Sequence, residues 1–343
     1  MMEPLESDGV SSHGGLPLPV LPLISCHLHF MPQQDAVFPS YTGSIWRGYF
    51  GARLRRMVCV TDARSCKGCG HVPNCAYAYL FETAPPDNAP RMRKYTSVPH
   101  PLVLAPPPVV GRQAYPQGSV FPLTVHLFGH ACESLSLIAH VLAMVGEAGP
   151  GRSGVPMRLF EIHSDQLIVE RRCVDYRLGM DVEMDPVVPV PPPCPGEPIR
   201  LRLITPLRIV GGGRIVGPDR FVFRGFFSGL LRRISMLTVF HTEQPLETDF
   251  AGLVKLAEAV ALVATDLRWQ EWQRHSARQK RTLPMGGLLG GFTVDLAGAE
   301  ALWPYLWLGQ RTHVGKGAIM GLGEYEIENK AAGSAIRHQQ EAL

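Results

Sequence analysis

The sequence predicts an α+β protein built from two tandem ferredoxin-like (RRM-like) βαββαβ domains, and three observations lead to this fold class. Short segments that alternate apolar and polar residues, as strands do, are interleaved with helical patterns. A proline-rich run, residues 186–198, has seven prolines in thirteen positions and is typical of a stiff interdomain linker. The stretch Trp46–Arg56 is repeated at Phe223–Arg233 with six identities in eleven residues, which indicates a duplicated unit.

The N-terminal half follows the order strand, helix, strand, helix, strand. The first strand is predicted at 21–32, where Ile24, Cys26, Leu28 and Phe30 alternate with polar residues. The other predicted elements are a helix at 44–58, a strand at 121–128, a helix at 131–145 and a strand at 157–163. Residues 84–118 are predicted to be irregular because they are rich in proline, and residues 59–118 are predicted to form a Cys-rich insertion.

The C-terminal half repeats this order beyond the linker. The predicted elements are a strand at 199–204, helices at 221–237 and 249–265, a basic segment, a strand at 288–296, a helix at 299–309, a glycine-rich loop and a strand at 324–328. The predicted domains are therefore 21–185 and 199–330, with a flexible lead-in at 1–20 and a tail at 331–343. Each half suits a split βαβ unit.

Composition limits the classes of function. Hydrophobic residues make up 45% and charged residues 18% of the chain, which is typical of a globular protein. The net charge of +3 is small, so nucleic-acid binding has to be argued from local clusters of basic residues. No run reaches the ~18 apolar residues of a membrane span, and the first residues are acidic, so we expect a cytoplasmic protein without a membrane partner.

The glycine-rich loop His313–Gly323 is the sharpest local signal. Its four glycines, Gly315, Gly317, Gly321 and Gly323, lie between a helix and a strand, with Lys316 inside the loop and His313 at its start. Glycine lets a backbone approach a ligand closely and present N–H groups to phosphate oxygens, and lysine adds positive charge. The alternative is a tight turn that needs several positive φ angles. The spacing is neither that of a P-loop nor that of a dinucleotide-binding loop.

Four cysteines lie within seventeen residues, with the spacing C-x6-C-x2-C-x5-C. They are Cys59, Cys66, Cys69 and Cys75, and together they could supply the tetrahedral thiolate set of a structural zinc ion. An iron–sulfur cluster could use the same four ligands, and unliganded loop cysteines are the remaining alternative. A structural metal site is the favoured prediction.

Basic residues cluster in one segment and on two predicted elements. The segment 268–281 carries Arg268, Arg274, His275, Arg278, Lys280 and Arg281 beside Trp269 and Trp272. Cations neutralise phosphates and aromatic rings stack on unpaired bases, although the tryptophans are equally typical of a core. Arg200 and Arg202 share one strand face, and the repeated helix ends carry Arg55, Arg56, Arg232 and Arg233, for which a solvated helix face is the alternative.

Histidines are the candidates for proton transfer, but most single histidines are structural. His27 and His29 share a strand face, and His313 stands beside the glycine-rich loop. The sequence contains no G-x-S-x-G motif, no H-E-x-x-H motif and no dense carboxylate cluster, which disfavours serine hydrolases and two-metal nucleases.

Several of these segments together resemble a known family. They are H-V-G-K-G-A-I-M-G-L-G-E-Y (313–325), S-A-R-Q-K-R-T-L-P-M-G-G-L-L-G-G-F (276–292), W-R-G-Y-F-G-A-R-L-R-R (46–56), C-K-G-C (66–69) and C-A-Y-A-Y-L-F-E (75–82). The chain from about residue 20 to 328 is thereby similar to the CRISPR-associated repeat-processing endoribonucleases of the RAMP superfamily. The resemblance implies two ferredoxin-like domains side by side, with a CRISPR repeat RNA hairpin as partner and other CRISPR effector subunits as further partners.

The chemistry that the resemblance implies needs no catalytic metal. The 2′-hydroxyl attacks the adjacent phosphate and leaves a 2′,3′-cyclic phosphate and a 5′-hydroxyl, so a proton acceptor, a proton donor and a cation are required. Lys316 and Arg47 could supply the charge, and His313 or His29 could move the proton. Residues 38–58 lack the histidine that many relatives have there, and Tyr41 and Tyr49 are the nearby proton donors. A non-catalytic RNA-binding subunit is the alternative function.

Overall fold

The computed structural model describes residues 18–61, 63, 65–83, 98–108, 111–152, 154–165, 172–276 and 281–328. Its N-terminal half begins with strand β1 (Leu23–Pro32), which forms the centre of a five-stranded sheet. The elements that follow in this half are β2 (Ala36–Phe38), α1 (Gly43–Val58), β3 (Leu102–Ala105), β4 (Gln113–Tyr115), β5 (Phe121–Phe128), α2 (Leu135–Glu147), β6 (Met157–Ser164) and β7 (Cys173–Asp175).

The C-terminal half contains a second sheet of the same design. Its elements are β8 (Ile199–Leu207), β9 (Val210–Gly211), β10 (Arg214–Ile215), α3 (Phe223–His241), α4 (Phe250–Ala259), β11 (Leu262–Thr265), β12 (Arg268–Gln270), β13 (Gln273–Ser276), β14 (Arg281–Pro284), β15 (Gly287–Val294), α5 (Trp303–Thr312) and β16 (Tyr325–Glu328). The pairs β9–β10 and β13–β14 form separate two-stranded ribbons.

Strand order confirms the predicted fold class. The sheets run β3-β5-β1-β6-β7 and β11-β15-β8-β16, and the named pairs are antiparallel. Numbering the four βαββαβ strands within each half gives the order 2-3-1-4 in both, which is the ferredoxin-like arrangement. The repeated sequences form α1 and α3, the first helix of each unit, so the internal repeat has a structural counterpart.

The first helix of each unit is held by the same three positions of the repeat. Trp46, Phe50 and Leu54 of α1 are fully buried in the N-terminal core. Their counterparts in α3 are Phe223, Phe227 and Leu231, which are buried in the C-terminal core. This i, i+4, i+8 spacing places one apolar stripe on each sheet.

The two halves share a buried junction. Leu23, Val103 and Phe128 of the first sheet belong to the apolar cluster of the C-terminal half, so that half covers part of the first sheet's face. Arg311 of α5 forms an ion pair with Asp165 at 2.8 Å, and Ser25 donates a hydrogen bond to the same carboxylate. The proline-rich run is anchored as well, since Val187 exchanges two backbone hydrogen bonds with Leu23.

Two secondary-structure predictions were wrong. The irregular stretch 84–118 contains β3, a buried inner strand of the unit, and β4, so 59–118 is not wholly an insertion. The helix predicted at 249–265 ends at Ala259, and residues 262–265 form β11. In both cases pairing with a strand elsewhere in the sequence overrides local sequence preference. The basic segment, for which no element was predicted, contains β12 and the antiparallel ribbon of β13 and β14, with register Arg274↔Leu283.

Among the residues that the structure describes, one helical run is long and apolar enough to cross a membrane by length and composition. It spans Gly129–Glu147, and 61% of its most apolar window is buried inside the protein. Ile138, Ala139 and Leu142 of this run belong to the N-terminal core, so its apolar character is explained by packing.

Candidate functional site

The glycine-rich loop packs into the junction of the two halves. Its four glycines have φ angles between 71° and 89°, where other residues are strained. A Cβ atom on Gly315 would lie 2.6 Å from the Arg208 carbonyl oxygen, and one on Gly321 would lie 2.9 Å from the Ala105 Cα atom. Because the surrounding backbone leaves no space, these glycines are needed for close packing of the loop.

Most backbone N–H groups of the loop point inward. Those of Val314, Lys316 and Gly323 donate to the carbonyl oxygens of Gly323, Arg208 and Pro206. The N–H groups of Met320, Gly321 and Leu322 donate to carbonyl oxygens within the loop itself. The prediction that the four glycines bind an RNA backbone directly thus finds little support here, and the tight-turn alternative describes their geometry. The side chain of Lys316 is exposed, so it is the part of the loop that offers charge to a ligand.

His313 does not face solvent, which contradicts the prediction that it stands beside a bound phosphate. Its side chain is 0% exposed, and its ring lies 5.7 Å from the ring of His126. Its Nδ1 atom donates to the Leu322 carbonyl oxygen. Burial, assisted by Arg233, lowers the pKa of His313 to about 3. A buried, neutral ring held by the backbone is a packing residue, so His313 is not retained as a catalyst.

Tyr41 lies where three segments meet. It precedes α1 in a left-handed conformation with φ 70°, and its hydroxyl donates to the Gly321 carbonyl oxygen at 3.4 Å. Its ring packs against Trp272 with 4.7 Å between centroids. Burial raises the pKa of Tyr41 well above its usual range, so the phenol stays protonated at neutral pH. The start of α1, the glycine-rich loop and the base of the β13–β14 ribbon are therefore joined at one residue.

Glu324 adds a titratable group to this place that the sequence analysis did not single out. It is half-buried directly after the glycine-rich loop, and it acts electrostatically on Tyr41. Burial raises the pKa of Glu324 to about 7, and Glu326 contributes to the shift. Carboxyl groups with such a pKa suit proton transfer near neutral pH. The only sequence signal was its position beside the loop, since burial of a glutamate depends on the packing of distant segments.

We call Tyr41, Lys316 and Glu324, with the adjoining β13–β14 ribbon, the junction site. The ribbon carries Arg274, His275 and Arg281 on its strands, and the predicted contacts Arg278 and Lys280 lie outside the described residues. The Met285 N–H group donates to the Trp272 carbonyl oxygen and closes the base of the ribbon. Trp272, which had two predicted roles, packs against the N-terminal core, whereas Trp269 is exposed.

Other predicted RNA-binding arginines already have protein partners. Arg200 pairs with Asp266 at 2.9 Å, and Arg202 pairs with Glu328 at 2.7 Å and with Glu326. Three carboxylates thus face two guanidinium groups, which leaves this sheet face without excess positive charge. The prediction of RNA binding by these two arginines loses its basis.

The helix arginines differ from one another. Arg233 is largely buried, where its Nε atom donates to the Thr312 carbonyl oxygen, so its predicted role as a surface RNA contact is wrong. Arg232, its neighbour, is exposed and stays a predicted RNA contact. The guanidinium of Arg47 lies 4.4 Å from the centre of the Phe81 ring, in the Cys-rich segment.

His29 lies on the open face of the first sheet, away from the residues that pack around Tyr41. Its Nδ1 atom is 3.7 Å from Glu161, and its ring lies tilted by 32° against that of His163, with 4.3 Å between centroids. The predicted catalytic residues therefore do not form one site. His29 lies on the first sheet, Lys316 lies on the glycine-rich loop, and His313 is buried.

The four clustered cysteines line one cavity of about 150 Å³ at the end of α1, together with His71. None of them forms a disulfide. Burial raises the pKa of the Cys66 thiol, and Cys59 and Cys75 are close enough to contribute. Within the described part of the chain, no three of their sulfur atoms lie within 4.8 Å of one another, so a shared metal would require the loop to contract.

Family models match both halves of the chain. Residues 21–175 match a model described as an N-terminal domain, and residues 201–325 match the model of the CRISPR-associated endoribonuclease Cas6. Over its C-terminal half the chain is thus similar to the CRISPR-associated endoribonuclease Cas6. The family resemblance stated from the sequence motifs is thereby confirmed, and the matched region of the second model contains Lys316, Glu324 and the ribbon.

Solved structures of Cas6 proteins share the fold. The chain matches a partial Cas6-RT-Cas1–Cas2 complex and the corresponding Cas6-RT-Cas1–Cas2 complex, each with a TM-score of 0.54 and 15% identity over 91% of this chain. It spans 47% and 29% of the length of those two matched chains. A Cas6 product complex from Thermus thermophilus matches with a TM-score of 0.53 and 18% identity over 90% of this chain and 99% of the other.

At these identities the likeness concerns the fold, which agrees with the two ferredoxin-like sheets. A search of curated proteins gave no match.

Proposed function

We propose that this chain is an endoribonuclease that cleaves precursor CRISPR RNA within the repeat and so releases guide RNA. One observation carries the proposal: Tyr41 contacts the glycine-rich loop and interacts with Glu324, the same loop exposes Lys316, and the adjoining ribbon carries basic residues. Tyr41, Lys316 and Glu324 provide a proton donor, an exposed cation and a carboxyl group with a pKa of about 7. This is the set of groups that RNA cleavage by an internal hydroxyl requires.

The proposed reaction needs no metal ion. The 2′-oxygen forms a bond to the adjacent phosphorus while the bond from phosphorus to the 5′-oxygen breaks, which gives a 2′,3′-cyclic phosphate and a 5′-hydroxyl. Glu324 accepts the proton of the 2′-hydroxyl, and Tyr41 donates a proton to the departing 5′-oxygen. The ammonium group of Lys316 stabilises the additional negative charge on the phosphate oxygens.

The ribbon is proposed to bind the repeat hairpin. Arg274, His275 and Arg281 lie on its two strands, and cations on a two-stranded ribbon can follow the phosphates of an RNA stem. Because the base of the ribbon is fixed to Tyr41 through Trp272, an RNA held by the ribbon lies beside the junction site.

A second candidate function is a non-catalytic RNA-binding subunit of a CRISPR complex. It is favoured by the burial of His313 and by the lack of a histidine in residues 38–58. The Cas6-RT-Cas1–Cas2 complexes that share the fold make assembly with other CRISPR proteins part of the proposal in either case.

A single-turnover assay distinguishes the two functions. Excess protein is incubated with RNA carrying the cognate repeat in EDTA, and the products are tested for a cyclic phosphate end. We expect one cut and a cyclic phosphate, whereas intact RNA after prolonged incubation with tight binding would support the second function. Lys316→Ala should slow cleavage about 100-fold, while Lys255→Ala, an exposed lysine of α4, should cleave at the rate of the unaltered protein.

The Cys-rich loop is proposed to hold a structural zinc ion through Cys59, Cys66, Cys69 and Cys75. The thiols line one cavity, and four thiolates are a common structural zinc set. Elemental analysis of the purified chain should find zinc, and iron with the absorption of a cluster would point to the other predicted cofactor. Cys69→Ser should lower the bound metal; a metal content of zero in the unaltered chain would refute the site.

A further inference from the structure

We infer that the open face of the first sheet carries a second metal site, a Zn²⁺-type site formed by His29, Glu161, His163 and Cys173. These residues are separate from the clustered cysteines and from the junction site. The inference does not depend on the proposed RNA cleavage.

Strand register places residues that bind metals in two rows across three strands. One row runs His29, Glu161, Asp175, and the next runs His27, His163, Cys173, on β1, β6 and β7. Directly opposed side chains in an antiparallel sheet have Cβ atoms about 5 Å apart. Six imidazole, carboxylate and thiol groups therefore share one small patch, although the three strand segments are far apart in the sequence.

The side-chain atoms converge on one carboxylate oxygen. Glu161 Oε2 lies 2.9 Å from His163 Nε2 and 3.7 Å from His29 Nδ1, and the three ligand atoms lie within 4.8 Å of one another. The sulfur of Cys173 is 3.7 Å from His163 Nε2. Tetrahedral ligands at ~2.1 Å from a zinc ion stand roughly 3.4 Å apart, and these three separations lie on either side of that value.

The donor set indicates the class of metal. Two imidazoles, a carboxylate and a thiol suit Zn²⁺ and other late divalent transition ions, whereas Ca²⁺ and Mg²⁺ prefer oxygen ligands. Cys173 and Asp175 belong to β7, the short edge strand, and Glu161, Cys173 and Asp175 form an overlapping group of ligand atoms. Metal binding would thus join β1, β6 and β7 and fix the edge of the sheet.

The alternative is a hydrogen-bond network without metal. His163 already contacts Glu161, and a protonated imidazole would form an ion pair with that carboxylate. In this alternative His29 contacts Glu161, and Cys173 contacts His163, through hydrogen bonds alone. It is an outcome that the following experiment detects.

The test uses titration of the full chain with ZnCl₂, followed by calorimetry and by counting bound zinc after gel filtration. Glu161→Gln and His29→Gln are substitutions at partly exposed positions, and each should weaken one zinc-binding event at least about 100-fold. Cys69→Ser should leave that event intact and alter only zinc bound to the clustered cysteines. His130→Gln, an exposed histidine outside the patch, is the matched control.

Equal zinc stoichiometry and affinity in Glu161→Gln, His29→Gln and the unaltered chain would overturn the site. So would a titration in which Cys69→Ser removes all zinc binding. With Co²⁺ as a probe, the unaltered chain should develop visible absorption of tetrahedral coordination that Glu161→Gln lacks, which separates metal binding from a hydrogen-bond network.

Discussion

At the scale of a single residue, Gly321 shows that the glycine-rich loop needs a positive φ angle and a position without a Cβ atom. Its φ is 79°, and a Cβ atom there would meet the backbone of β3 at 2.9 Å. We predict that Gly321→Ala lowers the free energy of unfolding by about 3 kcal/mol, from left-handed strain and from displaced backbone. Gly213→Ala is the matched control, because Gly213 has φ 77° and nothing within 4 Å of its Cβ position. Urea denaturation should give a loss of about 1 kcal/mol for the control.

Equal losses of stability for these two substitutions would mean that close packing of the loop contributes nothing.

The spacing of the glycines made several positive φ angles predictable from the sequence as one of two alternatives. The contact of Gly321 with β3 was not predictable, because it joins residues more than 200 positions apart.

Glu324 should make the free energy of unfolding depend on pH, and the direction of that dependence tests the raised pKa. Burial raises its pKa from the ordinary 4.5 to about 7 in the folded chain. The folded state therefore binds this proton more tightly than the unfolded state, and the stabilisation is complete below pH 4.5 and lost as pH rises to about 7. Glu324→Gln should stabilise the chain at pH 8 by on the order of 2–3 kcal/mol relative to the unaltered protein. Thermal unfolding at pH 5 and pH 8 measures this.

The control for this prediction is Glu258→Gln, an exposed glutamate on α4, which should show no such change between pH 5 and pH 8. If Glu324→Gln were less stable than the unaltered chain at pH 8, Glu324 would be stabilised as a charged group and the raised pKa would be wrong. The same variant in the RNA cleavage assay should also lose the rise in rate up to about pH 7 that a carboxylate acting as base produces.

At the scale of secondary-structure elements, the ribbon of β13 and β14 should provide the salt-dependent part of RNA binding. Each cation that neutralises a phosphate contributes about 0.7–0.9 to the slope of log affinity against log salt. Arg274→Ala with Arg281→Ala should therefore reduce that slope by about 1.5. Arg224→Ala removes an exposed arginine of α3 beside Glu258 and should leave the slope unchanged. An unchanged slope in the double variant would exclude the ribbon from the RNA interface.

Elements with a regular pattern were predictable, and those defined by distant pairing were not. Strand β1 and helix α1 were predicted within two residues, because alternation and the Trp46, Phe50, Leu54 stripe are local signals. Strand β3 is buried at every position, so it shows no alternation, and prolines surround it. Strand β11 is mostly exposed and follows α4 closely, and only its pairing with β15 makes it a strand.

At the scale of the whole molecule, the two units are joined by buried polar groups that the sequence did not reveal. Asp165 from the first unit meets Arg311 from α5 of the second, and His126 meets His313 across the same junction. The sequence placed His313 beside an exposed loop because a loop between a helix and a strand usually faces solvent. Here the second unit covers part of the first sheet, and His313 is enclosed although Lys316 of the same loop stays exposed.

This junction should make the molecule sensitive to acid. Burial lowers the pKa of His313 to about 3 and that of His241 to about 4, and His126 is shifted in the same direction. A depressed folded-state pKa means that the stabilisation is complete above pH 6.5 and is lost as pH falls, because the unfolded chain takes up protons that the folded chain excludes. For one such histidine the loss between pH 7 and pH 5 is about 2 kcal/mol.

We predict that His313→Gln abolishes the contribution of His313 to the loss of stability between pH 7 and pH 5. The amide can still donate to the Leu322 carbonyl oxygen, but it binds no proton. Urea denaturation at pH 7 and pH 5 should show a drop in the free energy of unfolding that is about 2 kcal/mol smaller in the variant. His130→Gln, at an exposed position beside Glu243, should keep the full drop. If His313→Gln and the unaltered chain lose stability equally on acidification, His313 takes up its proton in the folded state. The ring would then lie within reach of water, and its exclusion from catalysis would have to be withdrawn.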